Sequence, residues 1–226
     1  MTKAIIFDAS SLIGFSMNGL LYIIEELKKN FNGHFIITKE VKYEIIDRPL
    51  NIKRFKLEAL KLTELFNKKV LELPEVFGID EEIISKKTQE FLNSSNSMYK
   101  DNRGDIHLLD LGEASCLVLG KMLNEKNIQN VLAVDERTTR MLCEKPKNLQ
   151  KLLQKKLHTS ITYDKTKVEQ FKGFKIIRSV ELVYIAYKKG LTILKGKQAL
   201  DALLFALKFK GCSVSYDEIE QIEKLG

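Results

Sequence analysis

At 226 residues, 44% of them hydrophobic, the chain is long enough for one sizeable core and too apolar for a disordered protein. It lacks any uninterrupted apolar run of the roughly 18 residues that a membrane span needs. It also lacks a basic N-terminal stretch leading into an apolar one, so we expect no membrane association, no signal peptide and a cytoplasmic protein. The net charge is +7, and residues 145–175, with nine lysines against two acids, carry the whole surplus. A local excess of this kind predicts contact with a polyanion.

The first element is Ala4-Ile5-Ile6-Phe7 running into Asp8, then Ser10 and Ser11. A short continuous apolar run bounded by turn-formers reads as a strand buried on both faces. An acid at the carboxyl end of such a strand lies where open α/β sheets bind ligands, although Asp8 is equally a good N-cap for a following helix. Leu20, Ile23, Ile24 and Leu27 predict one helix over Ser16–Asn30, stopped by Asn32-Gly33. His34–Thr38 reads as a second strand, with Thr38 capping a helix over Lys39–Ile46 that ends before Pro49. In that helix Glu44 borders the face of Val41 and Ile45, as the edge of a solvated side or as a pointed ligand.

A long amphipathic helix is expected over Ile52–Lys69, a short strand at Val70–Leu73 and a helix over Asp80–Asn93. Asn93–Asp105, rich in Ser and Asn, reads as a loop. Asp110 and Glu113 have capping-box spacing at the start of the next helix. Gly112 in its first turn is a poor helix former, and more natural if something must approach closely. Gln129–Val134 then repeats the opening pattern, an apolar strand ending in Asp135 and Glu136, with a helix from Thr138. In the basic segment Leu149, Leu152, Leu153 and Leu157 form a helical stripe, and Ile161–Thr166 reads as a strand or hairpin. Phe174–Arg178 is the next strand, followed by helices over Val180–Lys189 and Leu200–Lys210 and a last helix capped by Ser215 with Glu218 at the box position. Alternating strands and helices predict a mainly parallel sheet in a single α/β domain.

Asp8, Glu44, Glu113 and Asp135 come from four separate elements. Like charges repel, so a fold gathers them for a purpose, and oxygen-only ligands suit Mg²⁺ or Mn²⁺. A carboxylate-held divalent ion activates water for phosphoryl displacement, and neighbouring lysines hold phosphates without regard to sequence. Lys151, Lys155, Lys156, Lys165 and Lys167 are the candidates for that contact, and Arg140 for support of the substrate. No Gly-x-x-x-x-Gly-Lys loop, no second acid two residues after Asp8 and no Gly-x-Ser-x-Gly elbow is present, which argues against P-loop hydrolases, aspartyl-phosphate phosphatases and serine hydrolases. Cys116, Cys143 and Cys212 are odd in number and without metal-ligand spacing, so free thiols are expected.

With these residues in place, the chain resembles the PIN-domain ribonucleases. Ile6-Phe7-Asp8-Ala9-Ser10-Ser11 is similar to the family's opening strand, and Thr38 through Ile45 to its second motif, where Glu follows Val by three. Asp110-Leu111-Gly112-Glu113-Ala114 is similar to its Gly-Glu-Ala motif, and Val134-Asp135-Glu136-Arg137 through Arg140 to the fourth. Leu200–Leu203 and Lys210–Glu218 resemble the C-terminus of an archaeal and bacterial branch. The resemblance implies a three-layer α/β/α domain whose acidic pocket binds Mg²⁺ or Mn²⁺ through Asp8, Glu44, Glu113 and Asp135. In it Ser10 supports Asp8 and the substrate. The implied activity is metal-dependent hydrolysis of single-stranded or structured RNA. Many relatives are toxins of toxin–antitoxin pairs and many form homodimers, so an antitoxin-like partner and a second copy are implied as well. The chain departs from the small members in its length and in the basic insertion at about 144–175. Glu136, Asp110 and Glu40 stand as substitute acids, Asp105 and Asp201 as structural ones. Two alternatives stay open: a non-catalytic module that binds RNA or protein, and a structure-selective DNA nuclease.

Overall fold

The protein was analysed as a computed structural model that describes residues 2–225. A four-stranded parallel sheet lies at the centre, formed by β1 (Lys3–Phe7), β2 (His34–Ile36), β5 (Gln129–Ala133) and β7 (Ile176–Ile177), in the order β2-β1-β5-β7. Helices flank it to give three α/β/α layers. β1 sits between β2 and β5, pairing Ile5 with Phe35 and with Val131. That position explains its sequence: Ala4, Ile6 and Phe7 are buried, as expected of a strand covered on both sides.

α6 (Leu111–Glu125) lies against β1 and β5 and packs on α3 (Lys39–Lys42) and α5 (Glu81–Asn96). α1 (Ala9–Met17) and α2 (Leu21–Lys29) pack with α9 (Ser179–Lys188), which also carries α10 (Lys197–Phe209). α11 (Tyr216–Lys224) has the capping box read from Ser215 and Glu218, and packs on α10.

Several expected elements come out differently. The single helix over 16–30 is two helices, broken at Asn18-Gly19, where Gly19 takes a left-handed φ of 67°. The second motif is one α-helical turn followed by a π-helical segment, Tyr43–Asp47. The long helix starts four residues late, as α4 (Lys56–Asn67), because Pro49–Asn51 forms a 3₁₀ turn first. Residues 70–73 give an isolated bridge between Glu72 and Ile36 instead of a strand. The stretch expected to be a loop ends in a tight hairpin, β3 (Tyr99–Asp101) and β4 (Gly104–Asp105), whose turn Asp101 holds by accepting from the Arg103 and Gly104 amides.

The basic segment is built into the body of the protein. α8 (Pro146–Leu157) buries Leu149, and β6 (Thr162–Tyr163) joins β3 to make a second, antiparallel sheet, β4-β3-β6. Tyr163 stacks on Tyr99, whose hydroxyl donates to the Pro146 carbonyl, and Phe171 packs edge-on against Phe91 of α5. α7 (Arg137–Glu144) links this segment to β5. Leu149→Ala removes a fully buried side chain and should lower stability by about 2–5 kcal/mol. The urea midpoint checks this; an unshifted midpoint would mean that the basic segment folds apart from the core.

Candidate active site: an acidic centre at the sheet switch point

From β1 the chain crosses to β2 on one side, and β5 later enters on the other side of β1. The carboxyl ends of β1 and β5 therefore form a topological switch point, the crevice where open α/β sheets bind ligands. Asp8 and Asp135 follow these two strand ends, and the Asp8 amide continues the ladder by donating to the Ala133 carbonyl at 3.0 Å. Ser10 joins the two acids. Its Oγ donates to Asp8 Oδ2 at 2.6 Å and accepts from the Asp135 amide at 3.2 Å. Asp8 also caps α1, accepting from the Ser10 amide, so the capping role and the site role coincide. Beneath them the buried Ser11 hydroxyl reaches both the Asp8 and Ala133 carbonyls.

Glu44 and Glu113 come from the elements after β2 and before β5. Thr38 caps α3 through the Val41 amide, and its hydroxyl meets Ser115 of α6 at 2.7 Å. With those two helices pinned together, the π-helical turn swings Glu44 across the first turn of α6. There Glu44 Oε2 lies 2.8 Å from where a Cβ on residue 112 would sit. Gly112 thus makes room for the Glu44 carboxylate, the close approach its position suggested. π-Helical segments in helices recur at functional sites. Glu113 uses both oxygens: Oε2 accepts from the Asp110 amide at 2.9 Å and Oε1 from the Thr139 hydroxyl at 2.6 Å.

The Asp8 charge is felt by both Glu44 and Glu113. Burial raises the Asp8 carboxyl above its ordinary range, against the lowering effect of its Ser10 bonds, and Asp135 adds to the rise. Glu44 is raised by burial first, then by Asp8 and Asp110, although the residue is exposed overall. Glu113 is pushed up to about 8, by burial first and by Asp8 second. Asp135 is raised too, by burial, but its side chain is turned to other partners. Oδ1 accepts from the Ser179 amide and Cys212 Sγ, and Oδ2 from the Ser179 hydroxyl. Asp135 therefore closes the N-terminus of α9 as well as bordering the crevice.

The donor set is all oxygen, as Mg²⁺ or Mn²⁺ requires. Among the described residues, no three His, Cys, Asp or Glu side chains converge tightly enough to cage an ion. Glu44 makes no side-chain hydrogen bond, so its carboxylate is the one of the three acids left free to move. Of the substitute acids, Glu136 caps α7 through the Thr139 amide, Asp110 sits exposed beside His107, and Glu40 accepts from Ser85.

Arg140 donates to the Ser213 carbonyl and lines a groove with Arg137, Lys145 and Asn148. Lys145 and Asn148 also line a second groove with Lys147, Lys165, Lys172 and Tyr163, so the basic surface runs on from α7. Lys151, Lys155, Lys156 and Lys165 are exposed, whereas Lys167 is tied to Ser97 at 2.6 Å. Thr139, Ser179 and Cys212 were missed from the sequence: each meets its acid across 26 to 77 residues, and no local pattern marks such pairs. All three cysteines are free. No described helix is long and apolar enough to cross a membrane. Compared with known proteins, the chain matches no family model, no curated protein and no solved structure.

A raised carboxyl pKa has a definite sign for stability. Between the unfolded value near 4.5 and the folded value of about 8, the native state holds a proton that the unfolded chain releases. The stabilisation is complete below pH 4.5 and drains away as pH climbs through 8, each raised unit being worth about 1.4 kcal/mol. In EDTA, Glu113→Gln should therefore melt higher than wild type at pH 8.5, with the difference shrinking toward pH 5. Parallel melting curves across that range would show that Glu113 is not held protonated.

Proposed function

We propose that the protein is a metal-dependent ribonuclease with a PIN-like site at the β1/β5 crevice. The observation that carries this reading is the gathering of Asp8, Glu44 and Glu113, from three separate elements, at the sheet's switch point. Nothing in packing demands three carboxyls there; each has its pKa raised, by burial first, and the Asp8 charge adds to the rise at Glu44 and Glu113. A divalent cation bound by these oxygens, with Asp135 at the margin, would supply an activated water and neutralise charge developing on a phosphate.

The protein's own groups prepare the site for that chemistry. Ser10 fixes the Asp8 carboxylate and the strand end beside it. Thr139 and the Asp110 amide fix both Glu113 oxygens, so α7 and α6 cannot drift apart without loosening an acid. Burial raises the Asp8 and Glu113 carboxyls, so a cation bound by their oxygens would compete with protons there. Arg137, Arg140 and the exposed lysines then give a phosphate backbone a positive path leading away from the acids. One observation favours a second reading, a non-catalytic RNA- or protein-binding module: the Asp135 carboxylate is fully engaged by Ser179 and Cys212.

Labelled single-stranded RNA and DNA, incubated with Mn²⁺, Mg²⁺ or EDTA, separate the readings. We expect metal-dependent cleavage of RNA that falls about 100-fold or more in Asp8→Asn while the melting temperature holds. Equal cleavage by mutant and wild type would reject the site, preferential cleavage of DNA would favour a DNA nuclease, and no cleavage of either would favour the binding module. For the basic path, replacing Lys151, Lys155 and Lys156 by Ala should flatten the log–log salt dependence of RNA affinity by roughly 0.7–0.9 for each phosphate that is no longer neutralised. An unchanged slope would remove those lysines from the interface.

A further inference from the structure

A cavity of about 350 Å³ opens directly beside the acidic centre. Its walls come from the second half of α1, the π-helical turn, the Pro49–Ile52 connection and the start of α4. Ile13, Ile45, Ile52 and Leu62 make it mainly apolar, and Phe55 stands partly exposed among its lining residues with the Arg54 guanidinium over its ring. Four polar groups break the apolar lining. Glu44 belongs both to the cavity and to the acidic centre. Glu58 adds a second carboxylate. Ser16 is 2% exposed, and its hydroxyl is buried without a partner, forgoing the bond to a carbonyl one turn back that a helical serine ordinarily makes. Arg48 also lines the cavity, close enough to Glu44 for its charge to act on that carboxylate.

We propose that this cavity receives a base of the RNA strand, one bearing an exocyclic amino group, next to the phosphate held at the acids. The proposal rests on the ribonuclease reading of that neighbouring site. An aliphatic occupant would strand the Ser16 hydroxyl and two carboxylates in a desolvated wall, which is costly. A nucleobase brings flat apolar faces for the isoleucines and for stacking on Phe55, together with an edge rich in N–H donors. The polar lining is dominated by acceptors, and carboxylates accept from base amino groups. Adenine, guanine and cytosine carry such a group and uracil does not. The volume lies at the lower end of small-molecule sites, as a single base requires. Arg48 is placed to hold the phosphate attached to that base.

Titrating metal-free protein in EDTA with AMP, GMP, CMP and UMP by heteronuclear NMR tests the cavity without any cleavage. The expected result is saturable shifts at Ile13, Ser16 and Ile52 with the three amino-bearing nucleotides, and at least tenfold weaker binding of UMP. Phe55→Ala should weaken binding about tenfold and Ser16→Ala severalfold, each with the fold confirmed by its melting temperature. Equal binding of UMP, no saturable binding of any nucleotide, or binding indifferent to both substitutions would overturn the proposal. Because no metal or cleavage enters, RNA hydrolysis without nucleotide binding would reject the cavity and leave the nuclease standing. Nucleotide binding without hydrolysis would keep the cavity and reject the catalyst.

Discussion

The arrangement depends on one serine hydroxyl between two strands. Ser10 Oγ donates a hydrogen bond to Asp8 and accepts one from the Asp135 amide, so a single group couples the ends of β1 and β5 at the point where the sheet changes direction. Both acids are nearly or wholly removed from solvent, and a buried carboxylate is tolerated only with hydrogen bonds or a proton. Asp8 draws its bonds from the turn it caps. Asp135 draws them from a helix more than forty residues further on. Site and scaffold are therefore the same bonds, and the crevice cannot be loosened without loosening β1, β5, α1 and α9 together.

Around that pair, the other two acids are held with unequal stiffness. Glu113 has both oxygens occupied and sits in the first turn of α6, where the helix dipole favours negative charge while burial and Asp8 oppose it. Burial wins, because the opposing bonds from Thr139 and Asp110 come from neutral donors and the Asp8 charge adds to the rise. Glu44 has neither bond and hangs from a π-helical turn over a glycine. The cation we propose for this centre would meet two fixed carboxyls and one adjustable carboxyl, and would keep part of its hydration shell.

What the sequence disclosed followed from how local the determining physics is. Strands β1 and β5 were legible because a run of apolar residues ending in Asp needs nothing beyond itself to be read. The caps at Asp8, Thr38 and Ser215 were legible for the same reason, and Gly112 was legible as a misfit whose cause had to be another residue. The break at Gly19 was lost because apolar residues continue the helical period on both sides of it. The π-helical turn was invisible, since its sequence satisfies an α-helix equally well and only the Thr38–Ser115 contact and the facing glycine give it a reason. The loop reading of 93–105 failed because β3 is stabilised by β6, about sixty residues away, through Tyr99 and Tyr163. The partners of Asp135 lay beyond reach for the same reason.

The basic segment shows how charge and core can share one stretch. Its leucines, Phe171 and Ile161 face inward, so the lysines must face out, and the segment's position fixes where they go. α7 sets that position. It leaves the end of β5 with Thr139 turned to Glu113, and its arginines line the groove that continues past Lys145. One short helix thus ties the acidic crevice to the positive surface, and the strand bearing Asp135 leads into both. On the other flank, Glu44 ties the same crevice to the apolar cavity. A polyanion reaching the acids meets cations on one side and a base-sized recess on the other. A single-stranded nucleic acid, with its phosphates and unstacked bases, is the ligand we propose for both flanks.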